Sequence, residues 1–582
     1  MAEMVKPTAK VYRLIVIKPV RTGIGNFGKN ITYPGRLINN LLQGKWAGAR
    51  DETYRFCCNT TVGVAGFFDV SSTWKIPKSD ADFGQTFGQW GWKPKCYLML
   101  PIYGPSNERD TLGLAADTAA NPLTYIAPYP AATPGSLTYV SPYTYISYGI
   151  LYDNLSDSVN DYVRAAQSEM DAYSELQYAW TFVRENRVAD FQVKGKPDPA
   201  SLETLQSVFF TFQDPEFPGR GKTRSVLIPV TGRKLKFTFW LQPEKAPVVY
   251  IIPGLGSHRL AEPALALAEL VYKKGFSAVC VSSTFNFEFM EHASSADVPA
   301  YMPVDVHDLH VALTEIAHRL EKLYPQRLGP KALMGYSMGG FESLFLAATE
   351  STNREPLIEF DRYVAINSPV RLLYGISKLD EYFEAPLAWP AGERADNIEN
   401  TFLKVAALSK NSLTPQTSLP FSGVESKFLI GLTFRLILRD AIFSSQQRNN
   451  RGVLEHRIDK WRRAPLYQEI LRYSYQDYLE KFLIPYYWGY GIDLTPAAMD
   501  RAGNLRTYAA GLRARHDVRL IVNQNDFLLP DKDLEWLRDT FSPQQLTVFE
   551  QGGHLGNLSH PAVQKAILEA LDGLRSPLKS NP

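Results

Sequence analysis

The 582-residue sequence predicts a multidomain chain whose C-terminal part is an α/β domain with a mostly parallel sheet. Three observations carry that expectation. From residue 224 onward, short β-branched and aromatic runs alternate with helix-length runs, a rhythm missing from the N-terminal third. The hexapeptide Gly335-Tyr336-Ser337-Met338-Gly339-Gly340 stands between an apolar run, Lys331–Met334, and a helix-like run beginning at Phe341. An aspartate at a strand end, Asp526, and a glycine-flanked histidine, His554, then follow in that order.

The elements read in sequence as follows. Arg224–Val230 and Lys234–Trp240 form a hairpin closed by Thr231-Gly232-Arg233. Val248–Pro253 is an apolar strand that runs into a glycine-rich loop, Gly254-Leu255-Gly256-Ser257-His258. A helix over 261–274, a strand over 276–282, a helix over 306–323, the strand leading to Ser337 and a strand over 363–367 follow. Arg519–Val522 reads as a buried strand that delivers Asp526 into a loop, and Thr547–Phe549 as a short strand before Gly552-Gly553-His554-Leu555-Gly556.

A G-x-S-x-G between a strand and a helix is the nucleophile elbow of α/β-hydrolases. Gly335 and Gly339 are needed because side chains two residues either side of the serine would collide in so sharp a turn. The order Ser…Asp…His is that of α/β-hydrolases, not of chymotrypsin or subtilisin. Chemistry then assigns roles. A serine hydroxyl attacks only once a base takes its proton, so Ser337 is the candidate nucleophile and His554 its base. Asp526 fixes the imidazole tautomer. Asp531 and His560 are the nearest rivals, and His560, followed by Pro561, reads as a helix start. Backbone N–H groups of Leu255, in the loop carrying Gly254 and Gly256, and of Met338 are the expected oxyanion donors.

Between Asn367 and Arg519 lies far more chain than a connection needs. It is read as a cap inserted at about 371–515, with helical patterns over 396–408, 425–444, 454–460 and 466–482. The apolar run Phe428–Phe443, with Arg435 and Arg439 on one face, reads as a buried cap helix or as a lid that touches lipid.

The N-terminal part is rich in Gly, Pro, Tyr and Phe, and pattern alone makes it a separate domain. Its ordered motif blocks are more specific. They are Arg21-Thr-Gly-Ile-Gly-Asn26-Phe27-Gly-Lys-Asn30, Pro34…Asn39-Asn40-Leu-Leu-Gln43-Gly44, and Arg55-Phe56-Cys-Cys-Asn59-Thr60-Thr61-Val-Gly63…Gly66-Phe67-Phe68-Asp69. Asp82-Phe83-Gly84-Gln85-Thr86-Phe87-Gly88 and Leu100-Pro101…Arg109-Asp110…Gly113…Asp117 complete the set. These blocks resemble the MlaA (VacJ) lipoproteins over about residues 11–190. The resemblance implies a mainly helical phospholipid-handling domain at the periplasmic face of the outer membrane, working with porins and a periplasmic lipid carrier. Tyr139–Leu151 could sit at a membrane interface or in an ordinary aromatic core. Residues 191–223 are read as a linker and 224–582 as the hydrolase domain.

The chain departs from that family at its start. The apolar run Val11–Ile17 is too short and interrupted for a signal peptide, and no lipid-attachment motif surrounds any cysteine. A net charge of +2 gives no reason to expect nucleic-acid binding. Four cysteines make no disulfide framework, and no run of about 20 apolar residues predicts a spanning helix. No cofactor is expected, since no phosphate-binding or dinucleotide motif occurs in context. Asp305, His307, Asp308 and His310 share a predicted first helical turn, where carboxylates are common, and no metal is expected there. The leading expectation is a serine hydrolase of acyl esters, phospholipid or lysophospholipid included, fused to a lipid-handling domain. A lipid-transport protein with a non-catalytic hydrolase domain and a serine aminopeptidase-type peptidase are the alternatives.

Overall fold

The computed structural model describes residues 18–74, 76–100, 104–121, 129–133, 136–140, 196–350, 357–408, 419–459 and 463–574. The chain divides into two compact units, Met1–Phe191 with Phe402–Lys410, and Gln192–Thr401 with Asn411–Pro582.

The first unit is mainly helical. Its described helices include Lys18–Ile31, Tyr33–Leu42, Trp46–Thr61, Phe83–Gln89 and Glu108–Ala120. The motif residues knit these helices through buried polar groups. Arg55 donates to both oxygens of Asp69 (2.8 and 2.9 Å), and Asn59 adds a third bond to that carboxylate (3.1 Å). Asn39 bridges two other helices, donating to Asp117 and accepting from Thr86, while Asp117 also takes the Phe83 N–H. Gly113 presses against the backbone of Gly84, where a Cβ would overlap Gly84 N, so the two helices meet backbone to backbone. Buried polar groups must be paired, and in this segment the pairs themselves set the helix arrangement. Of the segment Tyr139–Leu151, residues 141–151 lie outside the described residues, as does the N-terminal run 11–17.

The second unit is built on an eight-stranded sheet. Its strands are β1 (Lys222–Ile228), β2 (Arg233–Trp240), β3 (Ala246–Ile252), β4 (Ser277–Cys280), β5 (Leu328–Tyr336), β6 (Arg362–Ile366), β7 (Val518–Asn523) and β8 (Leu546–Phe549). The spatial order is β8-β7-β6-β5-β3-β4-β2-β1, parallel except that β2 runs antiparallel to both β1 and β4. The main helices are α1 (Pro199–Leu205), α2 (Glu262–Lys273), α3 (Met302–Leu323), α4 (Met338–Thr349), α5 (Leu372–Phe383), α6 (Gly423–Arg448), α7 (Asp531–Thr540) and α8 (Pro561–Glu569). Central strands are apolar on both faces because helices cover both. Val248, Tyr250 and Ile252 of β3 join the core with α3 and α4, whereas Val249 and Ile251 join the core with α2 and α8. Successive residues of β6 split the same way, Tyr363 and Ala365 to one layer, Val364 and Ile366 to the other.

Several expectations need correction. The helix expected from Val306 begins at Met302, with Pro303 in its first turn, where a fixed φ and a missing N–H favour helix initiation. No helix forms over Leu454–Asp459. Glu469 captures the N–H groups of Glu455 and His456, which holds that stretch as a loop. The single helix expected over 466–482 is broken. Arg463–Ile470 ends, and Ser474 starts a new turn by a reciprocal cap with Asp477 that continues as a π-helical stretch, Tyr478–Leu483. Helix α5, Leu372–Phe383, lies outside the helical patterns read from the sequence. The segment 191–223, read as a linker, is from Lys196 onward part of the second unit, with Phe217 fully buried and stacked on Trp240 at 4.9 Å.

Candidate active site

Ser337 occupies the turn between β5 and α4 with φ 55° and ψ −120°, a conformation rare for a residue with a Cβ. The neighbouring glycines make it possible. A Cβ on Gly335 would overlap the carbonyl of Gly339, and one on Gly339 would overlap the carbonyl of Ile252 at the end of β3. The turn therefore folds back on its own strand and on the next strand, lifting the Ser337 hydroxyl above the carboxyl edge of the sheet.

His554 arrives from the loop after β8. Its Nε2 lies 2.8 Å from Ser337 Oγ, and its Nδ1 lies 2.8 Å from Asp526 Oδ2. Asp526 sits in the loop after β7, where it also accepts from Asn367 Nδ2 (3.0 Å) and from the Leu528 N–H (2.9 Å). All three side chains are almost wholly shielded, with Ser337 6 %, Asp526 4 % and His554 4 % exposed. A carboxylate at Nδ1 leaves Nε2 to face the hydroxyl as an acceptor. The rivals are elsewhere. Asp531 opens α7, and His560 caps α8 by accepting the Ala562 N–H.

Leu255 and Met338 flank the serine in the same cavity, and Gly254 lies against Ser337 Cβ, 3.1 Å from where its own Cβ would stand. Gly256, at φ 68°, lets the loop turn beneath Ile437 of α6. The loop is anchored below by His258, Arg259 and Glu288. Glu288 lies 3.2 Å from His258 Nε2, accepts from Arg259 (3.1 Å) and accepts from Ser282 (2.7 Å). Burial raises the Glu288 pKa, but the His258 hydrogen bond and the Arg259 charge bring it below the usual carboxylate range. Burial also pushes His258 down.

The cavity at Ser337 encloses ≈ 800 Å³, part of it open to solvent. Leu255, Phe285, Met302, Leu372, Ile376 and Leu379 are among its lining residues, and none of the lining residues carries a charge. The two tyrosines that face it are spent on the fold. Tyr475 donates to Phe434 O and Tyr478 to Pro299 O, each at 2.8 Å. Helix α6 roofs this region as a largely buried helix. Arg435 pairs with Asp380 at 2.9 Å over the Phe383 ring, and Arg439 pairs with Asp440 at 2.7 Å.

Sequence reasoning missed Asn367, which holds Asp526, and Tyr382, which stacks on Phe527 at 4.5 Å while Phe527 sets its edge against His554. Asn367 carried a weak signal as a polar residue ending an apolar strand; the aromatic pair carried none. In the first turns of α3, where no metal is expected, His310 faces the Ile358 carbonyl and Asp308 takes the Ser295 N–H and hydroxyl. No cluster of three or more metal-ligating side chains occurs among the described residues.

The strand order and the strand–serine–helix turn define the second unit as an α/β-hydrolase fold. Residues 1–187 match the family model of the MlaA lipoproteins, so the chain joins an MlaA-like region to an α/β-hydrolase unit. An uncharacterised protein of Rickettsia conorii is 35% identical over 123 residues, which is 21% of this chain and 49% of that protein. The intermembrane phospholipid transport system lipoprotein MlaA of Haemophilus influenzae is 29% identical over 180 residues, 30% of this chain and 68% of the relative. The chain spans about half the length of most of the curated relatives it matches. Among solved structures, an esterase from Pyrococcus furiosus aligns at 11% identity and TM-score 0.33, covering 66% of this chain and 98% of that one.

Proposed function

We propose that this chain is a lipid-handling protein whose second unit cleaves acyl esters, with Ser337 as nucleophile, His554 as general base and then acid, and Asp526 as the group that orients and stabilises the imidazolium. In the first half-reaction the Ser337 oxygen attacks the ester carbonyl while His554 Nε2 takes its proton. The developing oxyanion is met by the N–H groups of Leu255 and Met338, and His554 then protonates the departing alcohol. Water repeats the sequence on the acyl-serine and releases the acid.

The observation that carries the reading is the uncharged cavity opening on Ser337 Oγ, which suits an apolar acyl chain and offers no carboxylate for the amino group of a peptide. The MlaA-like region supports lipid as the source of that chain. It leaves large aromatic side chains on the surface, among them Trp46 at 73% and Phe68 at 66% exposure. By that resemblance the chain works on the periplasmic face of the outer membrane, with porins and a periplasmic lipid carrier as partners, and phospholipid or lysophospholipid as the ester. No helix of the described residues is long and apolar enough to cross a membrane. Purified protein and Ser337→Ala, assayed on acyl esters of graded chain length and on phospholipid in mixed micelles, test the proposal. Serine-dependent cleavage that favours longer chains is expected. A folded wild type that cleaves none of them overturns it and makes lipid binding without catalysis the better reading.

A further inference from the structure

The loop that carries His554 closes on itself through one backbone bond, Gly556 N–H to Gly552 O (2.9 Å), but its strained backbone also leans on groups outside the loop. Gly552 (φ 135°), Gly553 (φ 52°) and Leu555 (φ 66°) all lie in left-handed backbone around the histidine. Such a stretch draws on partners from outside, and short helix α1 supplies two of them. The His554 N–H donates to Thr204 Oγ1 at 2.9 Å, and the Gly552 N–H donates to Glu203 Oε2 at 2.7 Å. The same Glu203 oxygen accepts from Asn525 Nδ2 at 2.7 Å, and Asn525 Oδ1 in turn accepts the Gly553 N–H at 2.9 Å. Asn525 is the neighbour of Asp526, so one carboxylate ties the base loop to the acid loop.

The fit is steric as well as polar. A Cβ on Gly553 would overlap Ala200 O and Thr204 Oγ1, and one on Gly556 would overlap the Glu203 carbonyl. The Thr204 hydroxyl proton is committed to Ala200 O (2.8 Å), which leaves its lone pairs to the His554 N–H. The far side of the segment is fixed too. Asp198 caps α1 through the Ser201 N–H, and Lys196 O accepts the Gly423 N–H at the start of α6 (2.8 Å). The segment thus clamps the histidine loop from one side and meets the cap on the other.

We infer that Glu203 and Thr204 are positioning residues for His554, acting through the backbone of its loop and not on substrate. The inference rests on the reading of His554 as the base. It gives residues 196–205, outside the sheet and ahead of β1, a part in the reaction: they set the distance from Nε2 to Ser337 Oγ. A displacement on the order of 1 Å at a reacting group costs about 100-fold in rate.

The test uses the full chain as wild type, Thr204→Val, Thr204→Ser, Glu203→Gln and Ser337→Ala. Amide hydrogen exchange of the peptide spanning 551–557 is read beside kcat and KM on a short acyl ester. Thr204→Val should raise exchange in that peptide and lower kcat by about 10- to 100-fold with KM within about twofold, and Thr204→Ser should restore both. Glu203→Gln, which keeps the shape and removes the charge, should move both readings the same way by less, and it decides the matter if Thr204→Val does not fold. Unchanged exchange, or raised exchange with kcat unchanged, overturns the positioning role while leaving the hydrolase reading intact. Wild type without Ser337-dependent turnover overturns the hydrolase reading, and the positioning role with it.

Discussion

His554 Nε2 stands 2.8 Å from Ser337 Oγ although 217 residues separate the two in sequence. The serine is held by a turn packed on β3 and β5, and the histidine by a loop beyond β8, at the edge of the sheet. The contact therefore measures how well the whole sheet and its loops are assembled.

Replacing Ser337 by Ala should lower acyl-ester turnover by roughly 10⁴-fold or more while the melting temperature stays near wild type. The serine makes no side-chain hydrogen bond that caps α4, so its loss removes chemistry and little structure. Steady-state kinetics and a thermal melt on the same preparation check both halves.

Chain-length preference should follow the cavity wall. Ile376 lines the pocket on α5. Ile376→Trp should lower kcat/KM for long acyl esters by about 10-fold or more and leave acetate esters within about twofold. Equal losses on all chain lengths would mean that the acyl group lies elsewhere.

The cap should depend on one buried ion pair. Arg435 is 4% exposed, bonds Asp380 at 2.9 Å and also donates to Tyr473 O at 2.7 Å. Arg435→Ala leaves Asp380 without its countercharge and should destabilise the unit by about 3 kcal/mol. Chemical denaturation of Arg435→Ala beside Arg435→Met separates lost charge from lost volume.

Stability should fall as pH rises through the neutral range, because of Glu342. It is fully buried on α4, and burial, opposed in part by the Thr284 hydroxyl, pushes its pKa up to about 8. In the unfolded chain the carboxyl ionises at its ordinary value of about 4.3. Between those two values the unfolded state has shed a proton that the folded state keeps, so unfolding is increasingly favoured as pH rises. Glu342→Gln should melt higher than wild type at about pH 8 and converge with it near pH 4.5. A gap between the two that does not change with pH would sink this account.

Much of the site could be read from one dimension because its parts are local signals. The Gly335–Gly339 spacing encodes a turn too sharp for side chains, and strand–helix alternation encodes the layers. The order of Ser337, Asp526 and His554 fixes which strand end carries which group. The supports were not legible. Asn367, Glu203 and Thr204 hydrogen-bond residues distant in sequence, and a lone Asn, Glu or Thr has no pattern. The helical periodicity over 454–460 and 466–482 misled for a related reason: the captures by Glu469 and the Ser474–Asp477 cap compete locally with the helix ladder and win.

The fold class, the sharp turn at Ser337 and the chain order of Ser337, Asp526 and His554 are legible in one dimension, because periodicity, glycine sterics and chain order are properties of neighbouring residues. Tertiary packing alone sets residues 196–205 against the histidine loop, makes α5 a wall of the cavity and leaves that cavity without charged lining residues. Those are facts about which surfaces meet, and surfaces meet according to packing and hydrogen-bond satisfaction across the whole unit, where sequence separation carries no information.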